Sequence, residues 1–135
     1  MKTIKDFTAA DISLSDCTAY HADRANTTWA AATTEEKEAA LVRGFDYIRV
    51  QPFRTDTDLF TDGIPQDVER AAWEAALIEI TTPGILLKDQ ARDDHISEMK
   101  LNTMAIKYQA DARDQFKKIE ALLGPYMARG IILTR

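Results

Sequence analysis

The stretch from Ile64 to Thr82, IPQDVERAAWEAALIEITT, constrains the fold most, because after Pro65 neither Pro nor Gly interrupts its helical periodicity until Pro83-Gly84. Pro65 suits the first helical position, where a fixed φ helps and a missing N–H costs nothing. Asp67 and Glu69 place negative charge against the positive end of the helix dipole. Val68, Ala71, Ala72, Ala75 and Ile78 recur on one face, and Trp73, Ala76, Leu77 and Ile80 on another. A surface helix needs only one apolar face. The second must therefore meet another part of the chain or another subunit; its alanines allow close approach, and Trp73 and Leu77 supply bulk.

At 135 residues the chain is the size of one ordinary domain, able to bury roughly two-thirds of its unfolded surface. A single domain over residues 1–135 is expected. Apolar residues at 45% and charged residues at 29% argue against wholesale disorder, and the longest apolar runs fall far short of a membrane span. MKTIKDFTAAD lacks the apolar stretch of a secretory signal, so synthesis in the cytoplasm is expected. The lone Cys17 has no disulfide or zinc partner of its own kind and reads as a small buried apolar residue. A net charge of -5 disfavours a generally basic nucleic-acid surface, although a local patch such as Lys117-Lys118 remains open.

In chain order, SLSDCTAYHADR reads as a first helix capped by Ser13, with Leu14, Cys17 and Tyr20 on one face. His21 lies between Asp16 and Asp23, but without recognisable ligand spacing it reads as a solvated histidine rather than a metal ligand. Residues 25–28 form a connector, and Trp29 anchors it to the core. Thr33 and Glu36 make a capping box for a second helix with the stripe Ala40, Leu41, Phe45 and Ile48. Gly44 within it costs about 1 kcal/mol relative to Ala; it marks either a close helix crossing or nothing in particular. QPFRTDTDLFTDG reads as a long ordered loop anchored by Phe53, Leu59 and Phe60. Its Asp56, Asp58 and Asp62 lack the order of a calcium loop. Ile85-Leu86-Leu87 is a short apolar patch.

Two alternating runs, Ile96 to Leu101 and Met104 to Tyr108, flank Asn102-Thr103 and predict a β-hairpin. The last helix carries Phe116, Ile119, Leu122 and Leu123 as its buried stripe; Gly124-Pro125 bends or restarts it and Gly130 ends it. Ile131-Ile132-Leu133 then stand near the terminus and need cover, as a local strand or in a partner. The predicted fold class is thus mainly α: a small bundle of about four helices with a β-hairpin insertion.

No phosphate loop, nucleophile elbow or zinc-protease helix motif occurs. Asp93, Asp94, His95 and Glu98 cluster in sequence, yet no oriented nucleophile or third group accompanies them, and they read as a solvated loop. No enzyme, cofactor or metal centre is expected.

Several segments together resemble the small head–tail connector, or adaptor, proteins of tailed bacteriophages and prophages, some of which carry the label DnaT-like single-stranded-DNA-binding protein. The segments are SLSDCTAYHADR with Tyr20, then Trp29, then EEKEAALVRGFDYI with Lys37, Ala40, Leu41, Arg43, Tyr47 and Ile48. Ile64-Pro65 before an Ala-rich helix, EMKLNTMAIKYQ and IEALLGPYM follow, so the resemblance covers most of the chain. One segment departs: many relatives have a Trp-Pro-Arg-like stretch before the Ile-Pro helix start, of which Pro52-Phe53-Arg54 is a loose echo.

The resemblance implies a mainly helical subunit with a small β element, assembled as a ring, typically of about twelve copies, beneath the portal. Such a ring sits in the virion neck, extends the channel for double-stranded DNA without sequence-specific binding, docks the next neck or tail protein, and has no catalytic or membrane role. On this basis Ile131, Ile132, Leu133 and Arg135 are expected to engage the portal. Trp73, Leu77, Met99, Met104 and Ile106 are assigned to subunit contacts, with intramolecular core an equal alternative. The competing class is a monomeric or dimeric single-stranded-DNA-binding module, which needs a basic groove with exposed aromatics. Arg113, Lys117 and Lys118 are basic, but Phe116 among them falls on the buried stripe.

Overall fold

A computed structural model describes residues 2–54, 58–86 and 116–128. Its N-terminal segment forms two 3-10 turns, Ile4–Asp6 and Ala9–Asp11, each closed by a Thr-x-x-Asp capping box in which Thr3 pairs with Asp6 and Thr8 with Asp11. Four α-helices with defined bounds follow: α1 Leu14–Asp23, α2 Thr27–Ala31, α3 Thr34–Arg49 and α4 Gln66–Thr81. Residues 116–123 are also helical, and a 3-10 turn over Gly124–Tyr126 succeeds them.

Local chemistry sets the ends of these elements. Ser13 accepts a hydrogen bond from the Asp16 amide to start α1, and Thr33 with Glu36 closes the expected capping box of α3. At the end of α1 the Asn26 amide donates to the His21 carbonyl and the Ala25 amide to that of Ala22. This is the Schellman pattern, which holds Ala25 at φ 55° where glycine is the usual residue. Pro65 stands one position before α4 and its carbonyl accepts from Val68 and Glu69. Gly84, at φ 88°, turns the chain away beyond the far end.

Helices α3 and α4, each of 16 residues and so about 24 Å long, form the backbone of the core. Gly44 is the point of contact. A Cβ built there would lie 2.7 Å from the Ala76 backbone nitrogen and 2.9 Å from the Ala72 carbonyl oxygen, so the two helices cross at a distance only glycine against alanine permits. The opposite side of α4 is met by α1: the Tyr20 and Trp73 rings lie 5.2 Å apart, and Tyr20 Oη donates to Glu74 Oε2 at 2.7 Å. Both apolar faces of α4 are thus covered within the chain. Trp29 is buried in α2, a single helical turn where a connector and anchor are expected, and its indole N–H donates to Thr18 Oγ1 at 3.3 Å.

Helical residues 116–123 pack beside α3, with the Phe116 and Tyr47 rings 5.8 Å apart and Ile119 and Leu123 buried. The chain then meets the loop after α3. The Arg54 amide donates to the Tyr126 carbonyl and the Ala128 amide to that of Pro52, each at 2.8 Å, around an isolated antiparallel bridge between Phe53 and Met127. The Phe53 ring meets Phe60 edge-on at 5.6 Å, and Phe60 in turn lies 6.1 Å from the tilted ring of Phe7. The loop echoing the Trp-Pro-Arg stretch is therefore a pinned connection.

The predicted bundle with a β-hairpin insertion is corrected: the described residues are mainly helical and contain no strand, only the one bridge. Residues 96–108, to which the hairpin is assigned, lie outside the described residues. Alternating runs this short fit a helix as readily as a strand, so periodicity there does not decide between them. Among the described residues no helix is long and apolar enough to cross a membrane.

Candidate nucleic-acid interface

A cleft of about 390 Å³ opens between the N-terminal 3-10 turn and the segment that leaves α3. Its floor is apolar, with Ile4, Pro52, Phe53 and Phe60, and its cationic residues are Lys2, Lys5, Arg49 and Arg54. Among the described residues no Asp or Glu lines it, although the chain carries 22 of them against 17 Lys and Arg. The cleft thus concentrates positive charge on an acidic molecule. Lys2 and Lys5 are exposed. Arg49 donates through Nη2 to the Lys5 carbonyl at 3.2 Å, tying the two walls together. Its Nε is buried without a hydrogen-bond partner among the described residues. The Asp46 carboxylate stands 4.0 Å from Nη1 and is itself 64% exposed, so it offsets the guanidinium only weakly. Asp6 is turned away, its Oδ2 accepting from the Thr3 amide at 2.7 Å.

A second polar group lies inside, between α1 and α4. His21 is fully buried, not solvated as its sequence neighbours suggest. Its Nε2 stands 3.0 Å from the Trp73 carbonyl and Nδ1 2.9 Å from Asn26 Nδ2. A carbonyl can only accept, so Nε2 carries the proton and Nδ1 accepts from the amide. Burial holds its pKa below the usual 6.5, against the opposing influence of the Trp73 carbonyl and of Glu74. Burial, then Glu74, pushes the Tyr20 hydroxyl above its ordinary range and the Cys17 thiol up to about 12. The thiol is therefore protonated and inert at neutral pH. This cluster has no opening to solvent at His21 or Cys17, each 0% exposed, and it acts as a lock between helices.

Of the residues assigned to subunit contacts, Trp73 and Leu77 are each 6% exposed and belong to the chain's own core. Met99, Met104 and Ile106 lie outside the described residues, as do the portal-docking residues Ile131, Ile132, Leu133 and Arg135. The same holds for Asp56 and for Asp93, Asp94, His95 and Glu98. Lys117 and Lys118 are exposed, while Phe116 is half-buried against Tyr47 of α3 rather than presented with that basic pair. Sequence reasoning missed the cleft because its two walls come from opposite ends of the α1–α3 region. One local signal marks it: the repeated Thr-x-x-Asp of TIKD and TAAD is a capping-box spacing, and it fixes the turn that carries Lys5.

Fold and cleft together define a small, acidic, mainly helical protein whose described residues share one core and present a cationic cleft with an aromatic floor. The chain belongs to the family described as "Putative DnaT-like ssDNA binding protein", whose model matches residues 10–135. No curated protein and no solved structure matches it.

Proposed function

We propose that the chain is a structural virion protein: a head–tail adaptor that assembles as a ring of about twelve copies beneath the portal, extends the DNA channel and docks the next neck or tail protein. The observation that carries this reading is the order and spacing of adaptor-like segments, from SLSDCTAYHADR through Ile64-Pro65 to IEALLGPYM, along most of the chain. The family match runs through residue 135, so the tail assigned to the portal lies within the part of the chain that the family covers. The structure adds a mechanical reason. Gly44 seated on Ala72 and Ala76 makes α3 and α4 a pair with no slack, and a repeating subunit under load needs such a rigid unit. Trp73 and Leu77, assigned to subunit contacts, lie in the subunit's own core, and Val42, 47% exposed on α3, is available for contacts between copies. The protein works without catalysis, in the neck of the virion.

Removal of residues 131–135 tests this reading. The truncated chain is expected to keep its circular dichroism and thermal unfolding and to lose capture by immobilised portal. Undiminished capture would contradict it, and loss of the fold would place the tail in the core.

A second reading, a single-stranded-DNA-binding module, is favoured by the cationic cleft together with the family description. Retention of an oligonucleotide at low salt, released as salt rises, without any complex with portal, would select it over the adaptor.

A further inference from the structure

We propose that the cleft between the Ile4–Asp6 turn and residues 49–54 is a binding site for a single-stranded nucleic-acid segment, with an unpaired base on the Phe53 side and phosphates on Lys2, Lys5 and Arg49. This deepens the single-stranded-DNA reading by giving it a site. The family match begins at residue 10, so the wall carrying Lys2 and Lys5 lies outside the part of the chain that the family defines.

Three observations meet there. The volume, about 390 Å³, falls in the range of small-ligand clefts, about 300–1,000 Å³, and is a size for one nucleotide rather than a helix. The division of chemistry within it is that of a nucleotide: an apolar, aromatic floor for the base and cations for the phosphates. A duplex keeps its base faces stacked and could meet only the cations, whereas an unpaired base can enter. Finally, the Arg49 side chain is 32% exposed and its Nη2 is held on the Lys5 carbonyl at 3.2 Å. The guanidinium is thus held at the cleft while its terminal N–H groups stay partly exposed, which suits a phosphate oxygen. An acidic peptide would satisfy the cations equally but has no use for the ring of Phe53.

The test is fluorescence anisotropy with a labelled oligothymidylate and with an abasic strand of the same length, across a salt series. Three phosphate contacts predict that log K falls with log salt at a slope of about −2. The double variant Lys2→Glu, Lys5→Glu should weaken both probes at least about tenfold and flatten that slope. Phe53→Leu keeps apolar bulk under the bridge to Met127 but removes the ring; it should weaken oligothymidylate about tenfold and leave the abasic strand unchanged. Thermal unfolding of each variant confirms that the fold is kept, and the exposed lysines make this a safe control. Tight binding by the parent that neither variant changes would overturn the site and leave the single-stranded-DNA reading standing. No binding of either probe by the parent at low salt would overturn both. Equal loss of the two probes in Phe53→Leu would also overturn the proposal, since the ring would not be reading a base.

Discussion

The contact between α3 and α4 at Gly44 and the cleft at the α3 exit lie close together on the same helix, about 7.5 Å apart along its axis, yet they are built on different principles. At Gly44 the fit is steric. Two backbones meet with no room for a methyl group, and an ion pair from Arg43 Nη1 to Glu79 Oε2 at 3.2 Å joins the same two helices beside them. At Arg49 the surroundings are open, and what distinguishes them is the sign of the charge and a half-buried aromatic floor. The last turns of one helix therefore carry a position that resists change and border a cleft whose exposed lysines, Lys2 and Lys5, can change at little cost to the fold. A surface that must evolve to fit a ligand is safest on a scaffold whose packing is settled elsewhere.

Substitutions should separate the two regions. Gly44→Val is expected to have the largest effect. Even a Cβ comes within 2.7 Å of backbone that cannot move aside as a side chain could. The gain in helix propensity on replacing Gly, about 1 kcal/mol at most, is outweighed by an overpacking cost of about 3 kcal/mol or more, to be read from urea unfolding. Retention of full stability would mean that the helices are not held at this crossing.

Acid should act next, through the lock between α1 and α4. Burial lowers the folded-state pKa of His21 below 6.5, so in the range beneath that value the unfolded chain binds the extra proton. Stability is therefore complete above the unfolded pKa and falls as pH drops through it, by at most about 1.4 kcal/mol per pH unit, until the folded pKa is reached. Glu74 and Arg24 both face the ring and act on it in opposite senses. His21→Gln should lower stability at neutral pH and remove this part of the slope. An unchanged slope between pH 6.5 and 5 would assign the acid response to carboxylates instead.

Ala25→Gly should move stability the other way and less. Its φ of 55° costs an L-residue about 1–2 kcal/mol, whereas Gly costs about 0.5–1 kcal/mol in unfolded-chain entropy, so a net gain of about 0.5 kcal/mol is expected in thermal melts. Smallest of all, Lys2→Glu with Lys5→Glu should change stability by no more than about 0.5 kcal/mol. A larger loss would make the cleft part of the scaffold and erase the contrast with Gly44.

Much of the scaffold was legible in the residues themselves. The Thr33–Glu36 box, the Pro65 start, the two faces of α4, the anchors Trp29 and Phe60 and the burial of Cys17 all follow from local spacing and apolarity. Gly44 could be marked as a close crossing, but not against which partner. His21 was misread because its polar neighbours in sequence, Asp16 and Asp23, are not its neighbours in space; the Trp73 carbonyl that holds it lies on α4. The short alternating runs after residue 95 suggested a strand pair that the described residues do not contain. The cleft was invisible for a related reason. Its cations are few, dispersed and diluted by an acidic total, and only the fold gathers Lys2, Lys5 and Arg49 around Phe53.

The most direct test of the adaptor reading is the mass of the protein by light scattering, with and without its purified cognate portal. A portal-dependent complex of about a dozen copies is the expected result, because heterologous contacts that close must give a ring. A protein that stays at its solution mass beside the portal, while binding single-stranded DNA in a salt-sensitive way, would contradict it.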